Sequence, residues 1–269
     1  MSRYAQMFDK VRAEGRRGAF IPFFMLGDPD VETSLALLEA AVAAGADALE
    51  LGIPFSDPVA DGPVIQAAAE RALGSGVRPS SAFQIVARFR AAHPEVPVGL
   101  LVYANLVFGP GVEVFYERAA VAGADSVLVA DVPVREGTRF VAAARTAGVS
   151  PVFIAPADAS PATLRRVAEM SEGYTYCLAR SGVTGADDAL ALSHGMLFAT
   201  LREHKAPPPV LGFGIATPAH VRAALDAGAA GAISGSAVVK RVQEHLGDRP
   251  AMLRAVGDFV AAMRAATER

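Results

Sequence analysis

A chain of 269 residues, 52% hydrophobic and 20% charged, is long enough for one domain with a sizeable core or for two small ones. Its net charge of −3 and lack of Lys/Arg blocks argue against nucleic acid as the main partner, because phosphate-backbone binding needs a concentrated basic face. Cys177 is the only cysteine, which excludes an intramolecular disulfide and a thiolate cluster for a structural metal and fits a cytoplasmic setting. Met1 to Phe8 lacks the apolar core and cleavage site of a signal peptide, and no run is long enough to cross a bilayer. His93, His194, His204, His220 and His245 are scattered over predicted helices without ligand spacing and read as surface or helix-end residues.

Apolar spacing at Met7, Phe8 and Val11 predicts an amphipathic helix over about residues 2–13. The nearly all-apolar Ala19 to Met25 reads as the first strand, ended by Gly27-Asp28-Pro29-Asp30, and Val31 to Ala44 as a helix that Asp30 can cap. A punctuation mark then recurs: Ala44-Gly45-Ala46-Asp47, Ala122-Gly123-Ala124-Asp125, the reduced Ala147-Gly148-Val149, and Ala227-Gly228-Ala229-Ala230. Each is a helix-terminal glycine followed at once by a strand. Strands so marked are the one carrying Glu50, Ser126 to Ala130, and Gly231 to Ser234, and the runs Val98 to Tyr103, Pro151 to Ile154, Tyr174 to Leu178 and Val210 to Phe213 bring the total to about eight. Strands alternating with helices at this spacing pack as a parallel sheet, and eight close an α/β (β/α)8 TIM barrel of typically ~250 residues. The expectation is a single such domain over 1–269, with an extra N-terminal helix. A doubly wound open sheet competes, but it usually carries GxGxxG after its first strand, where this chain has Gly27-Asp28-Pro29.

Leu49 to Pro63 begins as an apolar run carrying Glu50, breaks into a Pro- and Asp-rich turn, and enters a helix at Pro63. In a barrel the turn after a strand lies on the face where active sites are built, so Glu50 and the loop residue Asp61 stand near one site. A neighbouring Arg or backbone amides would satisfy such a Glu equally well, and loops of this composition are ordinary turn chemistry, so the pattern alone leaves both readings open. Leu211-Gly212-Phe213-Gly214-Ile215 and Ile233-Ser234-Gly235-Ser236-Ala237 end the last two strands, where glycines and a helix N-terminus suit a phosphate; tight turns are the alternative. The small-residue loop Arg180 to Asp187 suits a lid over the ligand.

The stretch Glu50-Leu51-Gly52-Ile53-Pro54-Phe55-Ser56-Asp57-Pro58-Val59-Ala60-Asp61-Gly62-Pro63 resembles the signature of the tryptophan synthase α subunit family. Phe23 through Asp28-Pro29, Tyr103-Ala104-Asn105, Asp131-Val132-Pro133, Tyr174-Thr175-Tyr176, Arg180 through Gly185, Gly212-Phe213-Gly214 and Ser234-Gly235-Ser236 resemble the same family. Arg135 and Ala155 depart from its pattern and touch no motif. The resemblance implies a lyase that cleaves indole-3-glycerol phosphate by retro-aldol chemistry to indole and D-glyceraldehyde 3-phosphate, the indole passing to a β subunit for L-tryptophan synthesis. It implies Glu50 as general acid and base and Asp61 at the indole nitrogen, with no metal or organic cofactor in this chain. It further implies substrate contacts from Phe23, Leu101, Ile154, Tyr176 and Thr184, with Tyr176 bonding a glycerol hydroxyl or Glu50 itself. For Leu101 and Ile154, barrel core is an equal alternative. Gly185, Phe213, Gly214, Gly235 and Ser236 are the implied phosphate site. The implied partner is a pyridoxal-phosphate β subunit in a linear αββα (α2β2) assembly on the loop face, where Pro54, Asp57, Asn105, Phe108 and Pro133 are expected as exposed interface residues. Two other classes stay open. A sugar-phosphate epimerase or isomerase often wants a metal and His ligands that this chain lacks, and a regulatory partner needs neither carboxylate.

Overall fold

The computed structural model describes residues 1–178 and 187–269, with side chains in the second stretch from residue 195 onward. Its nine strands are β1 (Ala19–Met25), β2 (Leu49–Gly52), β3 (Val98–Val102), β4 (Ser126–Val129), β5 (Ser150–Val152), β6 (Ile154–Ala155), β7 (Thr175–Leu178), β8 (Pro209–Gly212) and β9 (Gly231–Ser234). They form one parallel sheet in the order β5-β4-β3-β2-β1-β9-β8-β7-β6. The expected fifth run, Pro151 to Ile154, is divided between β5 and β6 at Phe153. β5 pairs with β4 and β6 with β7, so this strand changes neighbours midway and brings the two ends of the sheet together. The result is a nearly closed parallel barrel with helices around it.

The recurring glycine marks are helix ends, as expected. Gly45, Gly123, Gly148 and Gly228 all hold positive φ, between 73° and 106°, a conformation that only glycine adopts without strain. The aspartates that close two of these marks share a second task. Asp47 accepts the Phe20 N–H and a bidentate Arg16, and Asp125 accepts the Val98 N–H, Arg3 and Arg90, so each fixes the start of the neighbouring strand.

Alternation along the strands sorts the core into two clusters. Phe20, Phe24, Leu49 and Leu51 point outward and pack under the helices. Ile21, Phe23, Met25, Leu128, Val152, Tyr174, Tyr176, Val210 and Ile233 fill the barrel. Two helices contribute several side chains each to this interior cluster. The first, α1 (Arg3–Ala13), is capped by Ser2 and inserts Tyr4, Met7, Phe8 and Val11; α2 (Val31–Ala43), capped by Asp30, packs outside. The second is α3 (Pro63–Gly74), whose Ile65, Ala68, Ala69 and Ala72 pack against the interior from the mouth of the barrel. The histidine expectation holds where it can be seen. His93 and His245 cap helix C-termini, His204 follows a helix and His220 opens one; the side chain of His194 lies outside the described residues.

Parallel register puts Phe23, Glu50, Gly99 and Ser126 side by side across β1 to β4. The absence of a side chain at Gly99 makes room for two hydroxyls, since a Cβ there would lie 2.8 Å from both Tyr4 Oη and Ser126 Oγ, which bond each other at 2.9 Å. Gly99→Ala is expected to destabilise the fold by about 1–3 kcal/mol through overpacking, read as a melting temperature lowered by several degrees. An unchanged melting temperature would contradict this packing.

Candidate active site

The second residue of β2 is Glu50, which register and alternation turn into the barrel, where it is only 2% exposed. Tyr174, just before β7, donates its hydroxyl to Glu50 Oε1 at 3.1 Å. The expectation that Tyr176 bonds Glu50 is therefore corrected: that bond comes from Tyr174, while Tyr176 lines the cleft beside it. Both tyrosines follow from strand alternation, since residues two apart share a face, so the pair is legible although the choice of hydroxyl is not. Burial pushes the Glu50 carboxyl up to about 8; the Tyr174 hydroxyl pulls it down and the charge of Asp61 adds to the rise. At neutral pH this carboxyl therefore carries its proton.

The second acid, Asp61, lies on the loop before α3. Its pKa is also raised by burial, against a hydrogen bond from the Tyr103 hydroxyl that lowers it. That hydroxyl also accepts the Ala60 N–H at 3.1 Å, and the ring stacks on Phe55 with centroids 5.5 Å apart, so Tyr103 pins both ends of the loop. Tyr103 was quoted among the sequence motifs without this role. The side chain faces the loop only because β3 ends at Val102.

One cleft brings together Glu50, Asp61, Phe23, Leu101, Tyr176, Phe213, Gly214, Gly235 and Ser236, with Gly62 and Ile65 of α3. Ile154 does not line this cleft; it borders the neighbouring depression with Asp131, Pro133 and Arg135, because β6 ends one strand further round. Thr184 and Gly185, with the rest of the loop Arg180 to Ala186, lie outside the described residues. On the wall opposite the acids, Phe213 and Gly214 hold φ of 66° and 78°, an unusual pair for a turn containing a phenylalanine, and Gly235 leads into the Ser236–Glu244 helix. A Cβ on Gly235 would meet nothing closer than Phe23 Cβ at 3.8 Å, although its φ of −102° and ψ of −83° lie outside the regular helical and extended regions. Packing alone thus leaves room for a methyl group at 235.

On the rim, Asp57, Asn105, Phe108 and Pro133 are exposed, Phe108 to 52%. Pro54 is buried, against expectation, because the chain beyond β2 continues inward before turning out at Ser56. Among the described residues no cluster of His, Cys, Asp and Glu could hold a metal ion, and no helix is long and apolar enough to cross a membrane.

These features define a (β/α)8 barrel with two carboxylates and a glycine-bearing wall around one cleft at its mouth. The family model for the tryptophan synthase alpha chain matches residues 8–268. Relatives bearing that name include one from Shewanella amazonensis, 56% identical over 267 residues, covering 99% of this chain and 100% of its own. Another, from Vibrio vulnificus, is 53% identical over 269 residues and covers both chains fully. The barrel superposes on the tryptophan synthase alpha subunit from Legionella pneumophila with a TM-score of 0.88 at 30% identity, over 99% of this chain and 98% of that one. A chain of the tryptophan synthase α2β2 complex from Pyrococcus furiosus gives 0.81 at 33% identity, over 92% and 98%. The chain belongs to the tryptophan synthase alpha chain family, and it is a lyase of the indole-3-glycerol phosphate cleavage reaction.

The raised Glu50 pKa has a consequence for stability. The folded state holds this proton more tightly than the unfolded chain, whose glutamate titrates near 4.3, so stability falls as pH rises from about 4.3 to about 8 and then levels off. Glu50→Gln, which cannot ionise, is expected to gain over the parent by a few kcal/mol across that window, measured by urea melts at pH 5, 6.5 and 8. Parallel pH profiles for the two proteins would refute a raised pKa.

Proposed function

We propose that Glu50 moves both protons of the cleavage and that Asp61 holds the indole nitrogen. The observation that carries this reading is a buried carboxyl facing the same cleft as a second acid. In the first step the Glu50 proton passes to indole C3, which becomes tetrahedral while positive charge gathers on the ring nitrogen. Asp61 accepts that N–H and offsets the charge. In the second step the hydroxyl on the carbon attached to C3 gives its proton to the Glu50 carboxylate. Its C–O bond becomes a carbonyl, the bond to C3 breaks, and the electron pair restores the aromatic ring. Glu50 ends protonated, as it began. A pKa near neutrality suits a group that must first give and then take a proton. The products are indole and glyceraldehyde 3-phosphate. Phe23 and Leu101 are placed to flank the ring and Tyr176 a glycerol hydroxyl, while Phe213, Gly214, Gly235 and Ser236 face the phosphate chiefly with backbone N–H groups.

Glu50→Gln is expected to lower single-turnover indole release by at least ~10²-fold while ligand binding survives. Retention of more than about a tenth of the parent rate would remove Glu50 from the chemistry. For the phosphate, Gly235→Ala should fold, because the packing leaves room for the methyl, yet bind glycerol phosphate at least about tenfold more weakly, because the ligand does not. Unchanged affinity in titration calorimetry would place the phosphate elsewhere.

The reading extends to the partner. The chain docks a pyridoxal-phosphate β subunit on its loop face, in a linear α2β2 assembly, through Asp57, Asn105, Phe108 and Pro133; buried Pro54 only shapes the loop from beneath. What supports this is an exposed rim with an aromatic side chain around the cleft from which indole leaves. Addition of the β subunit is expected to raise kcat more than ligand affinity, and Asp57→Ala to weaken that activation at nearly unchanged basal rate. Full activation of the variant would exclude Asp57 from the interface.

A further inference from the structure

One buried acid remains without a task. Asp28, on the loop after β1, is 4% exposed and takes a bidentate ion pair from Arg71, with Nε to Oδ1 and Nη2 to Oδ2 both at 2.8 Å. Arg71 sits in the C-terminal half of α3, whose other end adjoins Asp61. Three further contacts make the Asp28 loop a firm anchor. The Gly27 N–H donates to Ser34 Oγ of α2 at 3.0 Å, Val77 fills the space beside Gly27, and the Asp28 N–H donates to Met25 O.

Helix α3 needs an anchor. Its buried face is Ile65 and three alanines, so it has few large side chains to interlock with β1 and the Ser236–Glu244 helix on which it rests. Small buried residues leave a helix free to slide along its axis, because ridges that shallow define a position poorly. A fork-to-carboxylate pair defines one, in both distance and angle. At the opposite end of α3, Gln66 donates its side-chain amide to Asp61 O at 2.7 Å, while Gly62 and Ile65 line the cleft. A displacement of α3 is therefore passed to Asp61 and to the wall of the cleft together.

We propose that the Asp28–Arg71 pair is a positioning device that sets the register of α3 and thereby the place of Asp61 over the cleft. Neither residue touches the substrate. The proposal rests on the catalytic reading of Asp61 above and adds to it the group that holds that acid in place.

The test uses the full chain with three variants, Arg71→Met, Arg71→Lys and the doubly neutral Asp28→Asn/Arg71→Gln, each followed by cleavage kinetics and by amide hydrogen exchange. Arg71→Met should lower kcat about ten- to a hundredfold with KM changed less than threefold, the scale expected when a reacting group is misplaced by about an ångström. Arg71→Lys, which keeps the charge but loses the fork, should fall between Arg71→Met and the parent. Amides of residues 61–66 should exchange faster in Arg71→Met while those of β1 and β9 stay protected. If Arg71→Met does not fold, the double variant carries the same expectations, since it removes both charges at once. The proposal is overturned if kcat stays within twofold of the parent, or if protection is lost evenly over the barrel, which would make the pair a general brace. A parent chain that releases no indole would defeat the catalytic reading alone, and the exchange profiles would still decide whether the pair sets α3.

Discussion

Everything at the mouth of this barrel depends on one carboxyl being kept out of water. Glu50 sits in a layer where its neighbours in register are a phenylalanine, a glycine and a serine, and a lone tyrosine hydroxyl is its hydrogen-bond partner. Ionised, such a group would be costly to bury; protonated, it is satisfied by a single donor and acceptor exchange. The environment is thus tuned by subtraction. Among the described residues no cation bonds Glu50, whereas the buried Arg16 pairs with Asp47 and the partly buried Arg71 with Asp28.

The two acids are held by different means, and the difference matches their burial. Glu50 is a strand residue, fixed by the ladder on both sides and unable to move without the barrel. Asp61 belongs to a loop, and its position is assembled from Tyr103 on β3's exit, Gln66 on α3, and the ion pair that anchors that helix. A rigid acid facing an adjustable one is a sensible division where one group must transfer protons along a fixed line and the other must meet a charge that appears only midway.

Much of this was legible in the sequence, for reasons that can be named. Parallel strands are buried on both faces and read as unbroken apolar runs, and the Gly that ends each helix marks where the next begins. For that reason Ala19–Met25 and Gly231–Ser234 were placed to the residue. A charged residue within such a run is conspicuous, which is how Glu50 stood out. The division of Pro151 to Ile154 between β5 and β6 was not legible, because it reflects a change of pairing partner and no change of composition. Nor was the burial of Pro54, since proline after a strand looks like an exposed turn whichever way the chain then bends. Tyr174 and Tyr176 were visible as a pair, but which hydroxyl reaches Glu50 depends on barrel tilt, a property of eight strands together.

The helix that closes the far end of the barrel also sets an order of assembly. Tyr4 of α1 finds its partners at Ser126 and beside Tyr174, and Arg3 at Asp125. Those residues leave the ribosome more than a hundred positions later, about 10–30 s at ordinary rates of synthesis. An 11-residue helix has little stability by itself, so until the barrel interior exists, Tyr4, Met7, Phe8 and Val11 have nowhere to go. The segment therefore waits for strands made well after it, and for that interval its apolar face has no partner within the chain.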